Sequence, residues 1–210
     1  MKKLNLFALA AIVMLTLGVS KNANSQISVG LTGGVGLPMG EFGDKAKGAA
    51  ETGFGGGIQG RYAINDNIHA GIGLGYYMFK GPEFDLSALG GPKFTSSYSI
   101  MPITLSGEYY FMTDGFKPFA TIDLGMYGWG SKVESSAYTV SGVNFPATTT
   151  EKKETKFGFG IGAGAAYGLS DNLDIMGSLK YNSFSATSGT STISISWIGI
   201  NVGVAMKFGN

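Results

Sequence analysis

Residues 156–182 read KFGFGIGAGAAYGLSDNLDIMGSLKYN and carry the clearest repeating pattern in the chain. Its first part alternates apolar residues with glycine or alanine, and its last part alternates apolar with polar residues. A period of two is typical of a β-strand, because successive side chains point to opposite faces. The Ser170-Asp171-Asn172 triplet between the two parts consists of turn-forming residues. The stretch therefore predicts two antiparallel strands joined by a tight turn.

The same pattern divides the rest of the chain into further strands, which brings the predicted number to eight. We place them at 26–37, 52–64, 68–80, 97–111, 117–130, 155–169, 173–184 and 193–208. Most are longer than the roughly five or six residues usual in soluble proteins. They suit a tilted membrane-spanning strand, which needs about 9–11 residues.

Short and long connections alternate between these strands. The short ones are Asn65-Asp66-Asn67, Met112 to Phe116 and Ser170-Asp171-Asn172, and the long ones are 38–51, 81–96, 131–154 and 185–192. An up-and-down barrel in an outer membrane has short periplasmic turns and long outer loops. The alternation therefore predicts an all-β, eight-stranded, antiparallel, up-and-down transmembrane β-barrel with both termini on the periplasmic side.

The two faces of the strands differ in composition. One parity is apolar and includes Ile161, Leu179 and Val202, whereas the other carries polar residues and most of the strand glycines. An eight-stranded barrel has an interior just wide enough for side chains, so inward glycines leave room for a few long ones. On a water-facing surface they would only weaken the strands. We therefore predict that the apolar parity faces lipid. Residues 193–197 have the opposite phase, which a bulge near Trp197 or a position above the membrane would explain.

Aromatic residues of the apolar parity cluster near the ends of the strands. Such clusters are typical of the two girdles where a barrel crosses the membrane interfaces, although aromatic residues are also common in ordinary strands. The predicted girdle near the short turns comprises Tyr62, Tyr109, Phe111, Phe116, Tyr167 and Phe208.

The N-terminus has the features of an export signal. Lys2 and Lys3 precede a nearly continuous apolar run over 4–19, and Ala23-Asn24-Ser25 offers small residues for cleavage. We predict a signal peptide over residues 1–25 and a mature barrel domain over 26–210. An uncleaved anchor is the alternative, but the apolar run is short for a transmembrane helix.

These features together resemble the small outer-membrane barrels of the OmpA/OmpX-like class, including the barrel domains labelled porin-like. The resemblance covers residues 26–210 and implies the cell outer membrane of a Gram-negative bacterium, contact with its lipids, and assembly as a monomer. It also implies recognition of the last strand by the barrel-assembly machinery. Phe208 departs from the usual pattern because Gly209 and Asn210 follow it.

Polar residues of the inward parity are the candidates for a functional interior. A charge that faces a narrow lumen needs a partner or water. We predict a lumen network of hydrogen bonds and ion pairs that fills the barrel, and a narrow gated pore is the alternative. The assigned residues are Gln59, Arg61, Glu108, Asp123, Lys180 and Asn201.

The composition narrows the functional classes. The absence of cysteine excludes disulfides and thiolate metal sites, and a net charge of +1 gives no reason to expect a nucleic-acid partner. His69 is the sole histidine and lies without an evident nucleophile beside it, so we expect no enzyme, no metal and no cofactor. The expected role is structural or surface interaction. Loops 81–96 and 131–154 are the candidates for contact with an extracellular ligand. The alternatives are a solvated loop at 131–154 and a small plug formed by the apolar residues of 81–96. Two alternatives are a small porin or transporter and a soluble periplasmic lipocalin-like carrier.

Overall fold

The computed structural model describes residues 27–188 and 191–208, and the predicted signal peptide lies outside them. Eight long strands form the barrel: β1 Ile27–Met39, β2 Gly53–Ala63, β3 Ile68–Asp85, β4 Lys93–Tyr110, β5 Phe116–Ser135, β8 Thr148–Ser170, β9 Leu173–Ser188 and β10 Ser191–Phe208. A separate two-stranded hairpin consists of β6 Tyr138–Val140 and β7 Val143–Phe145. A short helix α1, Gly40–Gly43, follows β1, and a single 3-10 turn covers Ser87–Leu89. None of the helices in the described part of the chain could cross a membrane.

The eight long strands close into an antiparallel ring in the order β1-β10-β9-β8-β5-β4-β3-β2. Closure is visible at Ile27, which is paired with Tyr62 on β2 and with Phe208 on β10. Following the paired residues once around the ring from Val29 leads back to β1 at Met39, a stagger of ten residues. Such a stagger tilts the strands by roughly 35–45°. The predicted eight-stranded up-and-down barrel is confirmed.

The strands reach further on the long-loop side than the alternation of residues predicts. The predicted long connection 185–192 is wrong, because β9 continues to Ser188 and β10 begins at Ser191. Strands β3, β4, β5 and β8 also extend into the predicted loops 81–96 and 131–154. The Ser- and Thr-rich sequence there lacks the apolar alternation, but its backbone groups continue to pair across the ladder. Alternation therefore marks the apolar part of the barrel and not the full length of its strands.

The exterior of the barrel is a continuous apolar surface. Ile161, Leu179 and Val202 are 55%, 55% and 66% exposed, as the apolar parity predicts. Comparable exposure along all eight barrel strands gives an apolar belt far larger than the patches that soluble proteins expose to water. The soluble lipocalin-like alternative is therefore not supported, because its apolar residues would have to point inward.

Near the short turns the inward face combines charged residues with a small apolar cluster around Phe119 and Met176, and near the long loops it is apolar. Residues 193–197 owe their opposite phase to this change, since Ile195 and Trp197 point inward and are fully buried. Both ladders of β10 run through Trp197 without a register shift. The bulge offered as one explanation is therefore wrong.

Candidate functional site

The interior of the barrel is the candidate site, and the described residues enclose three cavities along it. A vestibule of about 520 Å³ lies at the short-turn end, and a mid-barrel cavity of about 90 Å³ lies above it. A third cavity of about 140 Å³ lies at the long-loop end. Each pair of neighbouring cavities is separated by a layer of packed side chains.

Charged residues surround the vestibule. Asp174 lies between two lysines, with its Oδ2 2.7 Å from Lys117 Nζ and its Oδ1 3.0 Å from Lys207 Nζ. His69 packs its ring against Tyr110, with ring centroids 4.5 Å apart. The described residues contain no group of three or more His, Cys, Asp or Glu arranged to hold a metal ion. The vestibule is therefore a cavity lined by charged residues at the short-turn end.

The first layer is a buried group that we call the arginine cluster: Gln59, Arg61, Ser106, Glu108 and Tyr110. Glu108 Oε1 accepts hydrogen bonds from Arg61 Nε and Gln59 Nε2, each at 3.1 Å, and its Oε2 accepts one from the Tyr110 hydroxyl at 3.0 Å. Gln59 in turn accepts from Arg61 and donates to the Ser106 hydroxyl. The side chains of Arg61 and Glu108 are only 5% and 2% exposed, so this ion pair is held away from bulk water.

The remaining lumen residues lie higher. Lys180 Nζ donates to Asp123 Oδ2 at 2.8 Å, and we call these two residues the lysine pair. Asn201 lies apart from both groups and accepts a hydrogen bond from the Tyr77 hydroxyl at 2.9 Å. The structure thus brings three of the six assigned residues into the arginine cluster and two into the lysine pair. The sequence prediction lacks the tyrosine partners, because it assigns only charged and amide residues to the network.

Inward glycines make room for aromatic rings. A Cβ on Gly36 would lie 2.8 Å from the Phe79 ring and 3.2 Å from the Trp197 ring. At Gly34, by contrast, the backbone carbonyl of Ile200 occupies the Cβ position at 2.0 Å. Glycine is therefore needed both beneath aromatic rings and where neighbouring backbones approach closely. The predicted reason for inward glycine, room for long side chains, covers only the first group.

An apolar plug closes the long-loop half of the interior. Its largest members are fully or nearly fully buried and come from five strands and from α1: Phe42, Phe79, Ile100, Tyr127, Trp129, Phe184, Ile195 and Trp197. Phe42 enters from above and packs its ring 5.1 Å from Phe79 and 5.5 Å from Trp129. The plug was not predicted from the sequence. Its signal was present, because the inward parity of β3, β5 and β10 becomes aromatic toward the long loops.

The segment that carries Phe42 is tied to the barrel by polar contacts. The Tyr98 hydroxyl donates to the Gly48 carbonyl at 2.8 Å, and Glu41 Oε2 accepts the backbone N–H of Ser194 at 2.8 Å. Glu41 also pairs with Lys47. The hydrogen bond from Lys47, the one from Ser194 and the charge of Lys47 together lower the pKa of the Glu41 carboxyl below its ordinary value of 4.5. The contacts hold the first long loop over the barrel mouth.

The residues predicted to form the girdle lie in a band around the short-turn end. Five of them point outward and are about half exposed: Tyr109, Phe111, Phe116, Tyr167 and Phe208. Tyr62 is half-buried and pairs in register with Ile27, beside Phe208 on the other flank of β1. The rings of Tyr109 and Phe111 meet edge to face with centroids 5.3 Å apart.

The β6–β7 hairpin stands away from the barrel at the opposite end. Tyr138 and Phe145 stack on one of its faces with ring centroids 4.8 Å apart, and Val140 and Val143 continue that face. Phe145, Val140 and Val143 are each more than 40% exposed. No charged residue occurs between Ser136 and Thr150. The hairpin therefore presents a neutral, apolar face to the solvent.

Comparisons with solved structures identify the same architecture in other proteins. Neisserial surface protein A is 16% identical, with a TM-score of 0.51, and the match covers 89% of this chain and 98% of that one. A major outer membrane protein from Thermus thermophilus is 15% identical, with a TM-score of 0.52 and coverage of 88% and 99%. OprG from Pseudomonas aeruginosa is 13% identical, with a TM-score of 0.50 and coverage of 90% and 97%. At these identities the likeness shows the fold alone.

Comparison with protein families identifies the relationship more directly. No curated protein sequence matches the chain. The model of the family described as "Outer membrane protein beta-barrel domain" matches residues 7–208, nearly the whole chain. The apolar belt and the closed eight-stranded ring are what this family requires, because a strand in lipid must have every backbone group paired. The chain belongs to the outer membrane protein β-barrel domain family and is a protein of the cell outer membrane.

Proposed function

We propose that the protein is a monomeric, non-enzymatic barrel whose interior is closed and whose role is structural or in contacts made by its long loops. In this proposal the short turns face the periplasm and the long loops face the outside of the cell. Residues 1–25 are removed as a signal peptide, and the barrel-assembly machinery recognises the last strand near Phe208. N-terminal sequencing of protein from outer membranes checks the cleavage and is expected to begin at Gln26.

The observation that carries the proposal is the layered interior. The arginine cluster and the apolar plug each fill the cross-section with side chains that are mostly buried. The plug in particular offers no polar path, since Ile100, Ile195 and Trp197 are fully buried at its centre. An ion crossing this layer would lose its hydration without finding replacement ligands. The barrel is therefore expected to act through its surface and not through its lumen.

The long-loop end has the features of an interaction surface. The β6–β7 hairpin presents Tyr138, Val140, Val143 and Phe145 on one apolar face, and both of its strand edges lack a β-partner among the described residues. A hairpin of two strands is marginally stable by itself in water, so a partner that covers its face would stabilise it. This supports an extracellular ligand or protein that docks on the hairpin.

Conductance of the refolded protein in planar bilayers tests the closed interior. We expect no reproducible unit current from the natural sequence. A steady conductance that depends on the charge of Glu108 or Asp123 would contradict the closed interior and favour a pore. The matched control is Glu134→Gln, which alters an exposed pair outside the lumen.

A small-solute pore is the second candidate. It is favoured by the three cavities, which lie one above another along the barrel axis, and by the charged vestibule of about 520 Å³. A pore would require the plug to move. Replacing Phe42 with Ala removes the plug residue contributed by the first loop, so the pore candidate predicts that this variant conducts more than the natural protein.

Surface labelling of intact cells tests the proposed orientation. A cysteine introduced at Asn144 in the exposed hairpin is expected to react with a membrane-impermeant maleimide. A cysteine at Asp66 in a short turn is the matched control and is expected to react only after the outer membrane is opened. Because the natural sequence has no cysteine, any label reports the introduced position. Labelling of the turn alone in intact cells would reverse the orientation.

A further inference from the structure

The cavity at the long-loop end has an apolar wall and a polar rim. The apolar wall belongs to the plug and is almost entirely buried: Phe42, Trp129, Ala186 and Ile195. Two ammonium groups line the same cavity, from Lys47 on the first long loop and from Lys152 on β8. Lys152 is exposed and pairs in register with Ser131, two residues nearer the long loops than Trp129. The lysines therefore lie on the solvent side of the cavity, and the aromatic wall lies beneath them.

The ion pairs around this cavity leave one ammonium without a counter-charge. Lys47 is paired with Glu41, and Lys156 is paired with Glu154. Lys152 donates to a backbone carbonyl of β9 and forms no ion pair with a carboxylate of the described residues. The cavity lining, as far as the chain is described, contains neither aspartate nor glutamate. The cavity therefore attracts negative charge, and the Lys152 ammonium has donors left to bind it.

We infer that this cavity binds a small amphipathic anion, in which a negatively charged head group carries a short apolar chain. The head group contacts the Lys152 ammonium and the Ser131 hydroxyl, and the chain lies against Trp129 and Ile195. The volume of about 140 Å³ limits the length of the chain, because a cavity of roughly 150 Å³ accommodates benzene. A carboxylate with about four carbon atoms has a comparable size.

The two walls of the cavity exclude simpler ligands. An inorganic anion would bind the lysine but would leave the apolar wall without a contact, and a hydrocarbon would leave the ammonium without one. Ligand sites of proteins combine apolar walls with a few placed polar groups in the same way. The plug lies directly beneath the site, so the anion binds from the long-loop side without crossing the barrel. The site is therefore compatible with the closed interior of the proposed function.

Titration calorimetry of the refolded barrel in detergent tests the inference, with butanoate as the probe. We expect saturable binding, and Lys152→Gln should weaken it about tenfold, because a hydrogen bond to a charged group is lost. Lys153→Gln is the matched control and should bind as the natural protein does. Lys153 is the next residue of β8, but its side chain is 78% exposed and pairs with Glu151. Butanamide has nearly the same shape without the charge and should also bind about tenfold more weakly than butanoate.

Tryptophan fluorescence gives an independent readout of the apolar wall. Trp129 lines the cavity and Trp197 does not, so a change of emission on adding butanoate reports the chain against Trp129. Ala186→Leu fills the cavity without changing any charge and should abolish both the heat of binding and the emission change. This variant provides the test if Lys152→Gln does not fold.

Three results would overturn the inference: no saturable binding of butanoate, equal binding of butanamide, or equal losses of affinity in Lys152→Gln and Lys153→Gln. Any of them would leave the proposed closed barrel intact, because conductance in planar bilayers tests that proposal separately. A steady current through a barrel that binds butanoate would contradict the closed interior alone.

Discussion

Removing the charge of Glu108 should destabilise the barrel more than any exposed charge change. In the variant Glu108→Gln the Arg61 guanidinium stays buried but has no negative charge beside it. Its hydrogen bonds to Gln59 Oε1 and to the Met176 sulfur remain, because neither involves Glu108. Breaking a buried ion pair by removing one partner costs about 3–5 kcal/mol, because the other charge stays without compensation. Glutamine keeps one acceptor oxygen for Arg61 and Gln59, but its NH2 group replaces the Oε2 atom that accepts the Tyr110 hydroxyl, so that hydrogen bond is lost as well.

Urea titration of the barrel folded in lipid vesicles measures this loss as a shift of the unfolding midpoint. The folded fraction can be read from the heat-dependent mobility of the barrel on gels. Glu134→Gln is the matched control, because Glu134 pairs with Lys132 on the exposed exterior and its loss is expected to have no measurable effect. The double variant Arg61→Met with Glu108→Gln should recover most of the stability, since it removes both charges. A loss below about 1 kcal/mol for Glu108→Gln would mean that the Arg61–Glu108 ion pair is not desolvated.

Three further changes test other parts of the account. Phe42→Ala leaves a cavity at a fully buried site in the plug and should therefore release the first long loop from the barrel. Trypsin should then cleave the folded barrel after Lys47 faster than it cleaves the natural protein. An unchanged cleavage rate would show that Phe42 does not anchor the loop. Nuclear magnetic resonance titration should give the Glu41 carboxyl a pKa below 4.5. The contacts that Glu41 makes as a carboxylate should be present at neutral pH and lost as the pH falls through that lowered pKa. A pKa at or above 4.5 would contradict the hydrogen bonds assigned to Glu41. Val202→Arg places a charge in the middle of the apolar belt and should cost about 2–4 kcal/mol in vesicle titrations, whereas a neutral effect would mean that Val202 does not face hydrocarbon.

The barrel itself could be predicted from the sequence because residue patterns within each strand and turn are enough to specify it. Alternation with a period of two fixes which side chains face lipid, and the lipid contact of Leu179 and Val202 requires that pattern to persist for the whole apolar height of the strand. Turn residues such as Asn65 fix the short connections, since its side chain accepts the backbone N–H groups of Asn67 and Ile68. Closure then follows, because an open edge in lipid is prohibited.

The interior could be predicted only in part. Inward parity identifies Arg61 and Glu108 as lumen residues, but parity does not say which residues of different strands meet. That depends on the stagger between strands, which moves Glu108 opposite His69 and brings Asp123 near Lys180. Stagger is a property of the whole ring, and a local pattern does not encode it.

The apolar plug and the upper strand ends were harder to predict for a different reason. Above the apolar belt, the outward face carries charged and hydroxyl residues such as Lys132 and Glu151, while Trp129 on the same strand as Lys132 faces inward. The polarity of the two faces is therefore inverted there. A rule that assigns apolar residues to the exterior fails once a strand leaves the membrane, because only hydrocarbon enforces it.

Fluorescence quenching by lipids with brominated acyl chains reports which side chains of the barrel touch hydrocarbon. Both native tryptophans, Trp129 and Trp197, are buried inside the barrel, so their emission in such vesicles should be nearly unchanged. Leu179→Trp places a ring on the outward row beside Ala163 and Ile200, and its added emission should be strongly quenched. If the emission of the native tryptophans were strongly quenched and the emission added by Leu179→Trp were not quenched, the assignment of the Leu179 row to the lipid-facing surface would be contradicted.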